Sequence, residues 1–425
     1  MKVCFYLAGL PGDSYHGGAV TCWAILKQLK KEGHEVEILS LYDISKNNPY
    51  IDYRDKQFLE IAKLGVPIYF IEYDSINLFQ QPKNKQDKLL LKIKLLFNLA
   101  KRIEYILPYV KLTNKVEDFL KDKSYDKLFC YHYEPLATLY FFKNSNKIKI
   151  IAGLGDLLFE PRYYRVKYLY KTNNLFKKIR LLASFYFLKF IQVNVMINLI
   201  NKAEVVGCFA AHYSEWFNLK NIKKVHYFRT PTHDPIGDNW KNIKNILKSK
   251  KFIILHIGEL NTTAASIGIR EFVIETIPLI EKLLPVNSFE IHFVGGGEIQ
   301  ESLRKYFNKP YIKLLGRIYP PDNEFLKADV LVVPIPIKLG IRVRIITAFS
   351  FGTCVIAHEA NKSGIPELEH KKNCLLIKSS DEMAKSILEI FNDKNLKNSI
   401  EINAKSLFLQ NFSEDVAAHN IIKTF

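Results

Sequence analysis

The sequence contains no run of about twenty uncharged apolar residues, so no bilayer-spanning helix is expected. The apolar stretch Val3-Cys4-Phe5-Tyr6-Leu7-Ala8 is too short and too polar at its flanks for a secretory signal and reads as a first buried strand. Six cysteines (Cys4, Cys22, Cys130, Cys208, Cys354, Cys374) form no C-x-x-C pair and no zinc-ligand spacing. Most lie inside apolar, strand-like runs, which suits reduced core residues of a cytoplasmic protein. Short repeats and low-complexity tails are missing, and no nucleic-acid-binding motif accompanies the basic residues. Acid is scarce: 43 Asp and Glu face 61 Lys and Arg, a formal charge of +18.

What remains describes a soluble globular chain. Its 425 residues exceed one ordinary core, and two domains of roughly 200 residues each are the natural expectation. The positive charge is uneven. Between Lys83 and Lys115, nine basic residues accompany two acids, Asp87 and Glu104. Between Arg162 and Lys189, eight basic residues occur with no acid, interleaved with tyrosines and phenylalanines. Nucleic acid, an anionic membrane surface or a phosphorylated substrate would each suit such charge, as would the solvated face of long helices. Leu89-Leu90-Leu91 and Leu95-Leu96-Phe97 among lysines suggest a helix with apolar and basic sides, as interfacial helices have.

Strand and helix patterns alternate along the chain, which predicts an α/β fold with parallel sheets. The first unit runs from strand Lys2–Ala8 through a loop to helix Ala19–Lys31 and strand Glu35–Leu41. Its loop holds Gly17 and Gly18, which suit either a close approach to a phosphate or sugar or a purely structural turn. Strands follow at Val66–Ile71, Lys127–Tyr131, Lys147–Ala152 and Glu204–Cys208, with 83–123 and 162–200 largely helical. His132 and Asp156 stand at strand ends, where open parallel sheets hold their ligands. Residues 229–250 break the periodicity and are expected to link an N-terminal domain, 1–228, to a C-terminal one, 251–412. A last helix, 413–425, is expected to pack back on the first domain. The stretch 339–357 carries the strongest chemical signal. Gly340 and Gly352 bracket a short helix between two apolar strands, and Arg342 and Arg344 sit in its first turn. Cations there oppose the helix dipole. A bound anion would resolve the conflict, and a solvated basic turn is the plainer alternative.

The ordered set of motifs resembles the GT-B glycosyltransferases, specifically the retaining group 1 (family 4) set. It comprises Gly17-Gly18-Ala19, Glu32-Gly33-His34-Glu35-Val36, Val294-Gly295-Gly296-Gly297-Glu298, Leu315-Gly316-Arg317-Ile318, Ala328–Pro334, Gly340–Ala357, Ser363–Leu368 and Asn373–Leu376. The resemblance spans nearly the whole chain. It implies two Rossmann-like doubly wound domains facing across a cleft, with acceptor on the N-terminal domain and nucleotide sugar on the C-terminal one. No cofactor and no metal is implied, the UDP- or GDP-sugar being a co-substrate. Gly295, Gly296, Ile318, Thr347 and Gly364 would line the nucleotide, and Arg342 and Arg344 would face its diphosphate. Gly17 and Gly18 would approach from across the cleft, His132 would contact the donor sugar, and Asp156 would lie on the acceptor side. The activity implied is transfer to a glycan or lipid-linked acceptor in surface polysaccharide or lipopolysaccharide assembly, with retention. The expected location is cytoplasmic, peripheral on the inner face of the plasma membrane.

Two departures from that pattern stand out. Where the family usually carries two glutamates eight residues apart, this chain has Leu339 and Thr347. Where many members carry Arg and Lys after the first strand of the second domain, it has Gly258-Glu259-Leu260, and Glu259 is expected to repel a diphosphate. A catalytically weakened binding or scaffold protein of the same shape is therefore the alternative. A nucleotide-sugar epimerase of similar shape is a third reading, lacking an evident cluster of cleft carboxylates.

Overall fold

The computed structural model describes residues 1–12, 17–45, 51–74, 78, 108–143, 147–157, 159–169, 175–221 and 224–425. The lysine-flanked apolar segment 89–97 lies outside them. Two parallel sheets organise the chain. The first contains β1 (Lys2–Leu7), β2 (Glu35–Asp43), β3 (Ile68–Tyr73), β4 (Lys127–Tyr131), β5 (Lys149–Leu154), β6 (Val205–Cys208) and β7 (Val225–Tyr227), in the order β3-β2-β1-β4-β5-β6-β7. The second contains β8 (Phe252–Ile257), β9 (Phe289–Val294), β10 (Ile312–Gly316), β11 (Val330–Val333), β12 (Cys354–His358) and β13 (Leu375–Ile377), in the order β10-β9-β8-β11-β12-β13. Each is doubly wound, and each reverses direction between its first and fourth strands, where such sheets open a ligand crevice. The architecture is GT-B.

The strand residues explain why both faces must be covered. In β1, Cys4 and Tyr6 enter one core cluster while Val3, Phe5 and Leu7 enter another. In β11, Leu331 and Val333 face one layer, Val330 and Val332 the other. Alternating side chains point to opposite faces, so a strand buried on both sides reads as a continuous apolar run. All six cysteines are buried and unpaired in these layers.

The stretch 229–250 is more structured than a broken pattern suggests. Asp234 pairs with Lys405 at 2.8 Å, and residues Trp240–Leu247 form a helix. Buried Trp240 lies against Gly352, where a Cβ would fall 2.3 Å from the ring. Gly352 has φ +60, so no other residue suits that position. β7 and β13, three residues each, were too short for periodicity to register. At the chain's end Ala418, Ile421 and Ile422 enter the core cluster of Val3 and Phe5, and Lys27 pairs with Glu414 at 2.7 Å. Among the described residues no helix is long and apolar enough to cross a membrane.

Candidate functional site

After β11 the chain runs through buried Ile335, Ile337 and Leu339 before turning at Gly340 into the helix Val343–Ser350. Gly340 has φ +64, and a Cβ there would sit 2.3 Å from Asp156 Oδ1. Glycine therefore answers two demands at once, the backbone turn and the close approach of the other domain. Arg342 occupies the cap position (φ −100, ψ 84); its carbonyl accepts the Ile345 N–H at 2.9 Å, but its side chain has no acceptor atom and makes no cap hydrogen bond. Arg342 Nε and Nη2 and Arg344 Nη1 are shielded from solvent and, among the described residues, meet no hydrogen-bond partner. Burial pulls both guanidiniums below the usual arginine range. For Arg342 the Asp156 carboxylate opposes that shift. For Arg344 the neighbouring Arg342 charge adds to it, reaching about 9. At about 9 the Arg344 guanidinium stays cationic at neutral pH. Desolvated donors with no acceptor are costly, and an anion would satisfy them.

Glycines crowd the pair from its own domain. A Cβ on Gly258 (φ +126), just beyond β8, would lie 2.5 Å from Arg344 Nη2. A Cβ on Gly295 (φ +146) would lie 2.0 Å from the Gly258 carbonyl oxygen. The Leu260 N–H donates to the Gly296 carbonyl at 2.8 Å, and Gly296 lies against the Arg317 guanidinium. Glu259 forms an ion pair with Arg317. The repulsion expected between Glu259 and a diphosphate is offset by that pairing: its charge is met by Arg317, one residue before half-buried Ile318. A cavity of about 550 Å³ opens beside this loop, lined in part by Leu260, Gly295, Gly297, Glu298, Arg304 and Gly316. Neither Arg342 nor Arg344 lines it. Thr347, one turn into the helix, donates its hydroxyl to the Val343 carbonyl at 3.2 Å. Its oxygen keeps acceptor capacity alone, so a ribose hydroxyl would have to be the donor.

The N-terminal domain closes the site. Gly17 opens the helix Gly17–Lys31, with Gly18 next, and a Cβ on Gly17 would lie 2.8 Å from Val343 Cγ2. Two helix N-termini thus meet across the cleft, each favouring negative charge. His132 occupies the N-cap position of the helix Tyr133–Thr138 with φ +70 and no side-chain cap hydrogen bond, and its ring packs where a Cβ on Gly155 would be 2.1 Å away. Burial raises the Asp156 carboxyl above its ordinary range, while Arg342 and His132 draw it back. Gly364 accepts the Ala211 N–H at 3.2 Å and lies against the Gly340 carbonyl. Asp156 and Gly364 approach Gly340, Gly17 approaches Val343, His132 packs on Gly155 beside Asp156, and Gly295 reaches Arg344 through Gly258, whereas Gly296 and Ile318 join through the Arg317 side of the loop.

Three residues escaped sequence reading. Buried Tyr213 accepts the Gly340 N–H at 2.7 Å and donates to Glu160 Oε2 at 2.7 Å. Burial raises the Glu160 carboxyl to about 7, although the Tyr213 hydrogen bond works the other way. His212 beside it has a burial-depressed pKa of about 4, lowered further by Lys338 and Arg342. The strand-end rule that singled out His132 and Asp156 reaches His212 and Tyr213 when applied to β6.

Residues 251–393 match the family described as glycosyl transferases group 1. The C-terminal domain is a group 1 glycosyl transferase domain. Over the whole chain the GT-B fold is similar to that of several solved structures. Anabaena HepE in complex with UDP shares 15% identity over 100% of this chain and 99% of that one, at a TM-score of 0.68. Sucrose-phosphate synthase from Thermosynechococcus elongatus shares 14% identity over 100% and 98%, at 0.66. A TarM variant of S. aureus in complex with fondaparinux, alpha-GlcNAc-glycerol and UDP shares 12% identity over 100% and 99%, at 0.64. Among curated proteins none matches the sequence.

Proposed function

We propose that the protein transfers a sugar from a UDP- or GDP-sugar to a glycan or lipid-linked acceptor in surface polysaccharide assembly, with retention and without a metal. The observation that carries this reading is the pair Arg342 and Arg344, whose shielded donors lack partners at a helix N-terminus opposite Gly17. Such a pair would hold the diphosphate of the donor and neutralise the charge that grows on it as the sugar–phosphate bond breaks. His132 and Asp156, across the cleft, would position the sugar and the acceptor hydroxyl. The departing phosphate oxygen would then take the acceptor's proton on the same face, so no protein nucleophile is required. The UDP bound to HepE and to TarM supports a uridine donor. The acid-free, basic stretch 162–203 supports an acceptor at the inner face of the plasma membrane.

A second reading, a GT-B-shaped binding protein without turnover, draws on Thr347, which offers a lone acceptor atom to the ribose. Incubation with UDP-, GDP-, ADP- and CMP-sugars, with nucleotide release as the readout, separates the two. Release from at least one donor, lost in Arg342→Ala and Arg344→Ala, is the expected outcome. Release from none by a folded protein would favour the binding reading.

A further inference from the structure

We infer that the helix Leu175–Ile200 is the surface by which this protein lies on an anionic lipid bilayer, its outer face inserting apolar side chains among the lipid headgroups. The inference deepens the membrane part of the proposed function, yet it requires no turnover.

The helix has two apolar faces where a surface helix ordinarily has one. Phe185, Val195, Met196 and Leu199 are buried in the first-domain core. Leu175, Phe176, Ile179, Leu182, Tyr186 and Phe190 are exposed, Phe176 at 85%, Leu175 at 68% and Phe190 at 65%. At about 100° of turn per residue these six fall within one arc of roughly 120°, running about 22 Å along the axis and pointing away from the buried face. Scattered exposed apolar residues need no explanation, but a contiguous row does. Arg180 falls about 40° outside one edge of the arc and half-buried Lys189, its Nζ 4.6 Å over the Phe159 ring, about 20° outside the other, so basic residues flank the apolar strip on both sides. The helix itself contains no acid, and none occurs between Arg162 and Lys202. Exposed Tyr168 nearby carries Lys167 Nζ 5.1 Å above its ring.

Those features select the occupant. A convex row of protruding side chains with a basic rim matches the headgroup boundary of an anionic bilayer, where apolar groups bury and lysine and arginine meet lipid phosphates. A second copy of the chain is disfavoured by the same charges. Face-to-face pairing would bring basic rims together with no acid on either helix to meet them.

The test is co-sedimentation of the full chain with vesicles of phosphatidylglycerol and phosphatidylcholine, against phosphatidylcholine alone, at low and high salt. Wild type should bind the anionic vesicles at least tenfold more tightly than the neutral ones and lose that preference as salt rises. The double variant Phe176→Ser/Phe190→Ser should lose binding tenfold or more, with unchanged circular dichroism and unchanged response to UDP. Both side chains are largely exposed, so the fold should tolerate the change. Equal binding by wild type and the double variant would overturn the inference, as would equal affinity for neutral and anionic vesicles. A concentration-dependent dimer abolished by the double variant, without vesicle binding, would reassign the face to self-association. Failure of donor release leaves every one of these outcomes readable.

Discussion

Two groups of buried or half-buried cations sit at opposite ends of the helix Val343–Ser350, and they are treated in opposite ways. At its C-terminal end Lys405 donates to both oxygens of Asp234 at 2.8 Å and to the Ser350 carbonyl at 2.7 Å. Lys244 bonds the Gly352 carbonyl at 2.9 Å and Glu401 at 2.6 Å, and Lys397 bonds Asp329. Every ammonium has a carboxylate, and two also meet carbonyls at the negative end of the helix. At the N-terminal end Arg342 and Arg344 oppose the dipole, and three of their nitrogens face no acceptor among the described residues. One end is finished by the chain itself; the other awaits something anionic. Burial of charge alone does not mark a functional site, because the lysines are as buried as the arginines. The absence of partners does.

The contrast predicts that the two ends respond oppositely to mutation. Lys405→Ala takes the ammonium from half-buried Asp234 and from the Ser350 carbonyl and should cost about 1.5–3 kcal/mol in chemical denaturation, with little effect on the donor KM of the surviving folded protein. Arg344→Met removes a charge that has no partner to strand. Its melting temperature should hold or rise, while donor turnover falls about 10²–10³-fold. A comparable stability loss in both variants would erase the distinction.

Smaller changes probe what holds the arginine loop. Tyr213→Phe leaves the Gly340 N–H without its acceptor and Glu160 without its donor, at about 1–3 kcal/mol for each unsatisfied group. Donor KM should rise about tenfold with kcat less affected. Glu160 gives the comparison a pH axis. Its folded pKa of about 7 lies above the unfolded carboxylate value, so the native state holds the extra proton between them. Stability should therefore fall as pH rises from about 4.5 to about 7 and then level off. Glu160→Gln should flatten that slope, gaining about 3 kcal/mol on wild type at pH 8 relative to pH 4. An unchanged slope would show that Glu160 does not carry it. Thr347→Val should have the smallest effect, under about 1 kcal/mol in nucleotide affinity by calorimetry, because its hydroxyl proton is already committed to Val343.

Residues of one periodicity and one chemistry are legible in the sequence. The strand runs Lys2–Leu7, Phe252–Ile257 and Val330–Val333 announce two-sided burial in their composition, and Gly340 and Gly352 mark turns that side chains cannot make. The arginine pair was visible as an electrostatic anomaly within one helix. What stayed hidden depends on residues far apart in sequence. The Glu259–Arg317 pair spans 58 positions, and Tyr213 reaches Gly340 across 127, so no local pattern could announce either. The helix Trp240–Leu247 was hidden for another reason. Only Trp240 is fully buried in it, so it lacks a long apolar stripe, and Pro231 and Pro235 just upstream suggested irregular chain.

The central claim, that the unpartnered arginines form a diphosphate site, is tested most directly by calorimetric titration of UDP into wild type, Arg342→Ala and Arg344→Ala. Wild type should bind UDP, and each variant should bind at least tenfold more weakly with the fold intact by circular dichroism. Equal UDP affinity in all three proteins would contradict it.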